Sequence, residues 1–226
     1  MKRHLKRINA PKTWKVKRKG IKFITRSNPG GMNKLLTIPI SNILKYDLKV
    51  ATNTKEVKNL LQNKNVFVNH KAVRDYKYPV CFEDVVTINN INYRLIIGKD
   101  GILKLINVPD EESDLVIAKI IGKSYVKGKL QLNLFNGMNV FFEKQHYKVG
   151  DSLLVTLKEK IIKEHIPLEK GALVLLYKGK HVGKIGVLKD MMGSLVTISE
   201  GDLSFQTKKD YLLVIGKNKP LIKITS

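Results

Sequence analysis

The sequence predicts an α+β chain built from several small modules. These are a basic N-terminal extension (1–39), a small αβ domain of a helical hairpin followed by strands (40–92), a central β domain (93–167) and a C-terminal SH3-like β-barrel (168–226). Three observations carry the prediction. Lysine and arginine crowd the start of the chain, and no acidic residue appears before Asp47. Apolar residues then recur at helical spacing between Pro39 and Gln62. From Val66 onward, short alternating or continuous apolar runs are broken by Gly and Asn turns, the pattern of strands and hairpins.

The extension is defined by charge. The 226 residues carry 42 Lys and Arg against 19 Asp and Glu, a formal net charge of +23, and 13 of the basic residues precede Asp47. Such a segment repels itself and lacks the apolar content to fold alone, so it is expected to be disordered until a polyanion supplies counter-charge. Pro11, Gly20, Pro29, Gly30 and Gly31 argue against a long helix there. Nuclear-targeting runs share this composition, but an extended arm laid on phosphates is the favoured reading. Trp14, the only tryptophan, either stacks on a base or anchors the arm on a neighbouring domain.

In the second module, Ile40, Ile43, Leu44 and Leu48 form one helical stripe and Val57, Leu60 and Leu61 another. Pro39 is suited to a first helical turn and Thr54 to an N-cap. Strands follow at 65–68, 72–74 and 84–88, with a tight turn at Asn69-His70. In the third module, Tyr93–Ile97 and Ile102–Ile106 flank Lys99-Asp100-Gly101, a hairpin signal repeated at Lys127-Gly128 and Asn136-Gly137. Only Asp110-Glu111-Glu112-Ser113-Asp114 interrupts the strands, as one helical turn after Pro109. Its carboxylates lack the interleaved Gly or His of a metal loop and read as a solvated loop. The fourth module shows strand cores at 172–177, 184–188, 194–198 and 211–215. Short strands so closely spaced suit a small barrel, which removes open edges by closure.

Catalysis is largely excluded. Gly179-Lys180-His181-Val182-Gly183-Lys184-Ile185-Gly186 has three residues where a phosphate loop needs four, no hydroxyl after the lysine, and no helix behind it. The histidines at 4, 70, 146, 165 and 181 are scattered. A single cysteine, Cys81, rules out a disulfide framework, fits a reducing compartment and is expected to be buried and inert. No apolar run approaches the ~20 residues that span a bilayer, and the basic N-terminus has no apolar stretch behind it, so it is not a secretory signal. A cytoplasmic location is expected, with no cofactor, no metal, no catalytic residue, no membrane and no small-molecule substrate. A KOW-containing transcription factor and a free-standing RNA-modifying protein are the alternative classes. The first would need a polymerase-binding surface and the second an appended catalytic domain.

The motif Lys2-Arg3-His4-Leu5-Lys6-Arg7-Ile8-Asn9-Ala10-Pro11-Lys12-Thr13-Trp14 resembles the N-terminal signature of the archaeal and eukaryotic small-subunit ribosomal protein family S4e. The resemblance continues through Asn28–Leu35, Leu44-Lys45-Tyr46, Thr54–Lys58, Val73-Arg74-Asp75, Tyr78-Pro79 and Phe82–Val86. It returns at Gly183–Val187 and Val214–Lys217, with Asn218-Lys219-Pro220 behind. Met32-Asn33 stands where the family usually has a histidine before the lysine, and an end soon after Pro220 is expected of the shorter archaeal type. The resemblance implies an S4-type RNA-binding domain, a C-terminal KOW domain with Gly171, Gly179, Gly183 and Gly186 as its glycines, and a place in the ribosome beside other small-subunit proteins.

Ribosomal RNA is then the expected partner, its phosphates neutralised by Lys and Arg with little sequence discrimination. The expected contacts from the extension are Lys2, Arg3, His4, Lys6, Arg7, Lys12, Trp14, Lys15, Lys17, Arg18, Lys19, Lys22, Arg26 and Lys34, with the arginines as forked phosphate ligands. Lys45, Lys49, Lys71 and Arg74 are expected on the helical-hairpin domain, and Lys178, Lys180, His181 and Lys184 on the barrel loop.

Overall fold

A computed structural model describes residues 4–142, 147–201 and 203–224. Lys2, Arg3 and His146 therefore lie outside the described residues. The chain divides into two compact units, one running to Ile96 and including Ile102–Asp114, the other formed by Ile97–Gly101 and the chain from Leu115 onward. Both are mostly β, with few and short helices.

In the first unit a five-stranded sheet has the order Lys71–Ala72, Val66–Val68, Val85–Ile88, Ile91–Ile97, Leu103–Val108. The positive φ of Asn69 and His70 closes the first hairpin, as Asn–X turns allow. The helical hairpin is present but shorter than the apolar stripe suggests. Ile40–Asn42 is helical and Ile43–Asp47 widens into a π turn, with Leu48 N–H donating to Ile43 O at 3.0 Å. The second helix, Thr54–Gln62, buries Val57 and Leu61 on its inner face.

Two boundaries move by one residue. Pro39 is extended (φ −68°, ψ 140°) and ends the strand Thr37–Pro39, which pairs antiparallel with Pro79–Cys81. The cap of the second helix is Asn53 and not Thr54, because the Asn53 carboxamide oxygen accepts from both Lys55 and Glu56 N–H.

The extension is folded onto this unit, contrary to the disorder expected of it. Leu5–Lys6 pairs with Phe23–Ile24, while Ala10, Trp14, Ile24, Leu36 and Ile38 are buried. Charge counting missed this because the lysines point outward while a sparse set of apolar residues reaches the core. An arginine also ties the extension to itself. Arg18 donates to the carbonyls of Ile8, Ala10 and Pro11 at 3.0, 2.9 and 3.2 Å.

The second unit holds two antiparallel sheets. One has the order Asn139–Phe142, Lys129–Leu134, Leu115–Val126, Ser152–Thr156, Ile162–Ile166. The long central strand shifts register between Ile120 and Gly122, which lets it serve two partners. The other has the order Leu203–Lys208, Leu195–Glu200, Ile185–Met192, Leu173–Leu176, Leu212–Gly216. Its edge strands, Leu203–Lys208 and Leu212–Gly216, are not paired with each other among the described residues. The expected closure is absent from the ladder, which forms an open half-barrel. The single turn Lys209–Tyr211 sends the last strand to the far edge, beside Leu173–Leu176.

The two sheets are joined by polar links: Val214 N–H donates to Ser152 Oγ at 3.1 Å and Lys119 Nζ to Lys209 O at 3.0 Å. Gly183 and Gly186 occupy positions that exclude a side chain. A β-carbon on Gly183 would overlap the Gly98 carbonyl oxygen and lie 2.7 Å from its carbon, and one on Gly186 would lie 2.6 Å from Ser199 O.

Candidate nucleic-acid interface

The basic residues of the first unit divide by what their side chains already touch. Lys6, Lys12, Lys15, Lys17, Lys19, Lys22 and Lys34 are exposed. Lys49 is exposed with φ 56°, and Lys71 and Arg74 are exposed around the short edge strand. His4 is exposed, its ring 5.6 Å from that of Phe23. Arg26 is half-buried.

Arg7, read from the sequence as a forked phosphate ligand, is only 6% exposed. Its guanidinium donates to Lys17 O at 3.0 Å and to the Tyr46 hydroxyl at 2.7 Å, so two of its donors are already committed within the protein. Arg18 is committed to three carbonyls, as described above. Trp14 is an anchor and not a free stacking platform: it is 3% exposed and its Nε1–H donates to Thr37 O at 2.8 Å.

Around Arg7, cations and aromatic rings alternate. The Arg7 guanidinium lies 5.3 Å and Lys45 Nζ 5.8 Å from the Tyr46 ring centroid. Lys22 stands 5.6 Å from the Phe23 ring, and Lys58 and Lys77 stand 5.1 and 5.5 Å from Tyr76. Burial and the neighbouring Arg7 charge both lower the Lys45 pKa, the condition of a cation held without an anion beside it. Two cavities flank Tyr46, of about 620 and 780 Å³, and no acidic residue lines either. Phe23, Tyr46 and Tyr76 were missed as site residues, yet each is adjacent in sequence to a lysine (Lys22-Phe23, Lys45-Tyr46, Tyr76-Lys77). That dipeptide signal was there to be read.

In the second unit, Lys178 and Lys180 are exposed near the turn at Gly179. His181 stacks on Phe205 at 4.2 Å between ring centroids, and Lys184 pairs with Glu200 at 2.7 Å. The last two are thus partly engaged in holding the sheet.

The acidic loop has structural partners. Asp110 accepts from Asn92 at 2.6 Å, Asp114 faces His70 at 3.3 Å, and Glu112 O accepts from the fully buried Arg94 at 2.7 Å. No group of three or more His, Cys, Asp or Glu among the described residues could hold a metal ion. Cys81 is buried, and burial together with nearby Asp84 pushes its thiol up to about 11, so it stays protonated at neutral pH. No helix among the described residues is long and apolar enough to cross a membrane.

The chain is similar to known proteins along nearly its whole length. Residues 1–31 match the RS4NT (NUC023) domain, 38–86 the S4 domain and 89–162 the ribosomal family S4e. Small ribosomal subunit protein eS4 of Methanocella arvoryzae is 36% identical, covering 97% of each chain.

This chain belongs to the eS4 family.

The family is one of ribosomal structural proteins, not enzymes. The eS4 protein of Methanocaldococcus jannaschii is likewise 36% identical, over 99% of this chain and 98% of its own. The crystal structure of the 30S ribosomal protein S4e from Thermoplasma acidophilum superposes with a TM-score of 0.70 at 29% identity, over 80% of this chain and 96% of that one. The family is of archaeal type in these relatives, and its S4 domain falls on the helical hairpin and the strands that follow it.

Proposed function

We infer that this chain is a non-catalytic constituent of the small ribosomal subunit that binds ribosomal RNA and supports translation. The observation that carries the reading is the lysine-rich extension, without an acidic residue before Asp47, folded beside an S4 domain with its lysines exposed. Lysines held on a rigid platform bind phosphates at a lower entropic cost than a disordered tail.

The finer reading assigns 1–39 as the basic extension, 40–92 as the S4-type domain, 93–167 as the central β domain and 168–226 as a KOW domain whose half-barrel presents Lys178 and Lys180. On the open surface the phosphate ligands are the exposed lysines together with Lys71 and Arg74, while Arg18 holds the extension in shape and Arg7 ties it to Tyr46. Neighbouring small-subunit proteins complete the surroundings, and the site of action is the cytoplasmic ribosome.

Two measurements test this. Tagged protein sedimenting through a sucrose gradient should co-migrate with small subunits, and co-migration with RNA polymerase instead would sink the reading. Replacing Lys12, Lys15, Lys17, Lys19, Lys22 and Lys34 by glutamine removes six candidate ligands. If about half contact phosphate, the slope of log K against log salt falls by about 2 to 3 units. An unchanged slope on small-subunit RNA would place the electrostatic anchor elsewhere.

A further inference from the structure

The lysine surface accounts for phosphate binding but leaves unexplained why aromatic rings line the two cavities beside it. Both cavities lie within the first unit, and Arg7, Lys45, Tyr46 and Thr52 line both, so Tyr46 forms part of a shared wall. Their volumes, about 620 and 780 Å³, fall in the ~300–1,000 Å³ range of sites that enclose small organic groups. One is walled by Phe23 and Tyr76 in addition to Tyr46, the other by Trp14.

A surface that only neutralises a duplex backbone needs cations on a convex or flat face, and gains nothing from concave aromatic walls. Bases taken out of a helix, in contrast, are held on aromatic rings with cations placed for the flanking phosphates. Here the cations sit within 6 Å of the rings, and Phe23 is 47% exposed.

A second, independent observation concerns Arg7. Its Nε is buried and makes no hydrogen bond among the described residues, although the residue lines both cavities. Neither Arg7 nor Lys45 forms an ion pair among the described residues. Two cations close to one ring, neither neutralised by a carboxylate among the described residues, make the cavity mouth favourable for an anion.

We propose that the paired cavities accept unstacked bases of a single-stranded RNA segment, one on each side of Tyr46, with the phosphate between them at Arg7 and Lys45. The proposal rests on the RNA-binding reading above and adds to it the kind of RNA and the place.

The test uses the full chain with two probes: a fluorescent, unstructured hexaribonucleotide and an RNA duplex of equal strand length. Affinities are read by anisotropy across a salt series. Tyr46→Leu should weaken hexanucleotide binding about 5- to 100-fold, the effect of losing one stacking platform. Tyr46→Phe keeps the ring but loses the hydroxyl that accepts from Arg7, so it should bind more tightly than Tyr46→Leu, and a loss equal to that of Tyr46→Leu would overturn the stacking role. Neither change should alter duplex affinity, nor the salt slope for the hexanucleotide. If Tyr46→Leu fails to fold by circular dichroism, Phe23→Ala at the exposed ring carries the same expectation for one base.

Wild-type affinity for the hexanucleotide in both Tyr46→Leu and Phe23→Ala overturns the proposal, as does an equal loss for duplex and single strand. A wild-type protein that binds the duplex and not the hexanucleotide refutes the paired base sites while leaving RNA binding intact. Binding to neither probe nor to small-subunit RNA refutes the underlying function.

Discussion

Replacing Gly183 by alanine adds one methyl group at a position where the backbone of another segment already stands. Gly183 has φ +84°, a left-handed conformation that costs an L-residue about 1–2 kcal/mol. The new β-carbon would overlap the Gly98 carbonyl oxygen, with Gly98 C at 2.7 Å and Lys99 Cα at 3.0 Å. Backbone cannot rotate away as a side-chain tip can, so the hairpin tip Gly98–Gly101 must shift. That movement strains the hydrogen bonds from Gly101 N–H to Gly98 O (2.8 Å) and from Gly183 N–H to Leu176 O (2.7 Å). Overpacking adds roughly 1–3 kcal/mol, and each weakened hydrogen bond up to about 1 kcal/mol. The total is roughly 2–7 kcal/mol, a large part of the stability of an ordinary domain.

Gly171 is the matched control. Its φ is +88°, yet nothing lies within 4 Å of a β-carbon built on it, so Gly171→Ala bears only the conformational cost of about 1–2 kcal/mol. Thermal unfolding followed by far-UV circular dichroism should place Gly183→Ala about 10 °C or more below wild type, at roughly 2–4 °C per kcal/mol for a chain of this size. Gly171→Ala should fall by only a few degrees. Equal shifts for the two variants would mean that left-handed strain, not the meeting with Gly98, governs this turn.

Trp14→Ala empties a site that is 3% exposed and leaves Thr37 O without its indole donor. It should cost about 3–5 kcal/mol in urea unfolding, and a loss under 1 kcal/mol would return the extension to a loosely tethered tail. Lys119 is 4% exposed and its pKa is lowered to about 8, first by burial, with Lys209 and Lys178 adding to this and Asp210 opposing it. The folded state thus binds fewer protons than the unfolded one between pH 8 and about 10.5, so this group's contribution to stability rises with pH through that window. Wild-type stability relative to Lys119→Met should increase by roughly 2 to 3 kcal/mol between pH 7.5 and 10. A pH-independent difference in paired urea titrations would refute the buried charge.

By itself the sequence determined the features that are local or additive. Net charge accumulates residue by residue, so the polyanion partner was legible from the acid-free stretch before Asp47. Turn chemistry is equally local: Lys127 and Gly128 adopt the positive φ their hairpin demands, and Asp110–Ser113 forms the single helical turn expected after Pro109. Gly183 and Gly186 stood out only through the family resemblance, and the backbone atoms that crowd them became visible in the fold.

What tertiary structure alone decided depends on partners far apart in the chain. Arg7 and Lys12 are equivalent in composition, but Tyr46 and the carbonyl of Lys17 claim Arg7 while Lys12 stays in water. The extension folds because Ala10, Trp14 and Ile24 find a core supplied by later residues, a gain that no sum over its own composition includes. The last sheet is a half-barrel among the described residues: the final strand lies beside Leu173–Leu176 and no ladder joins it to Leu203–Lys208, a pairing that only the fold could decide. The cavities beside Tyr46 exist only where the extension and the helical hairpin meet. Local propensity acts over a few residues, whereas burial and cavity shape are properties of surfaces that folding brings together.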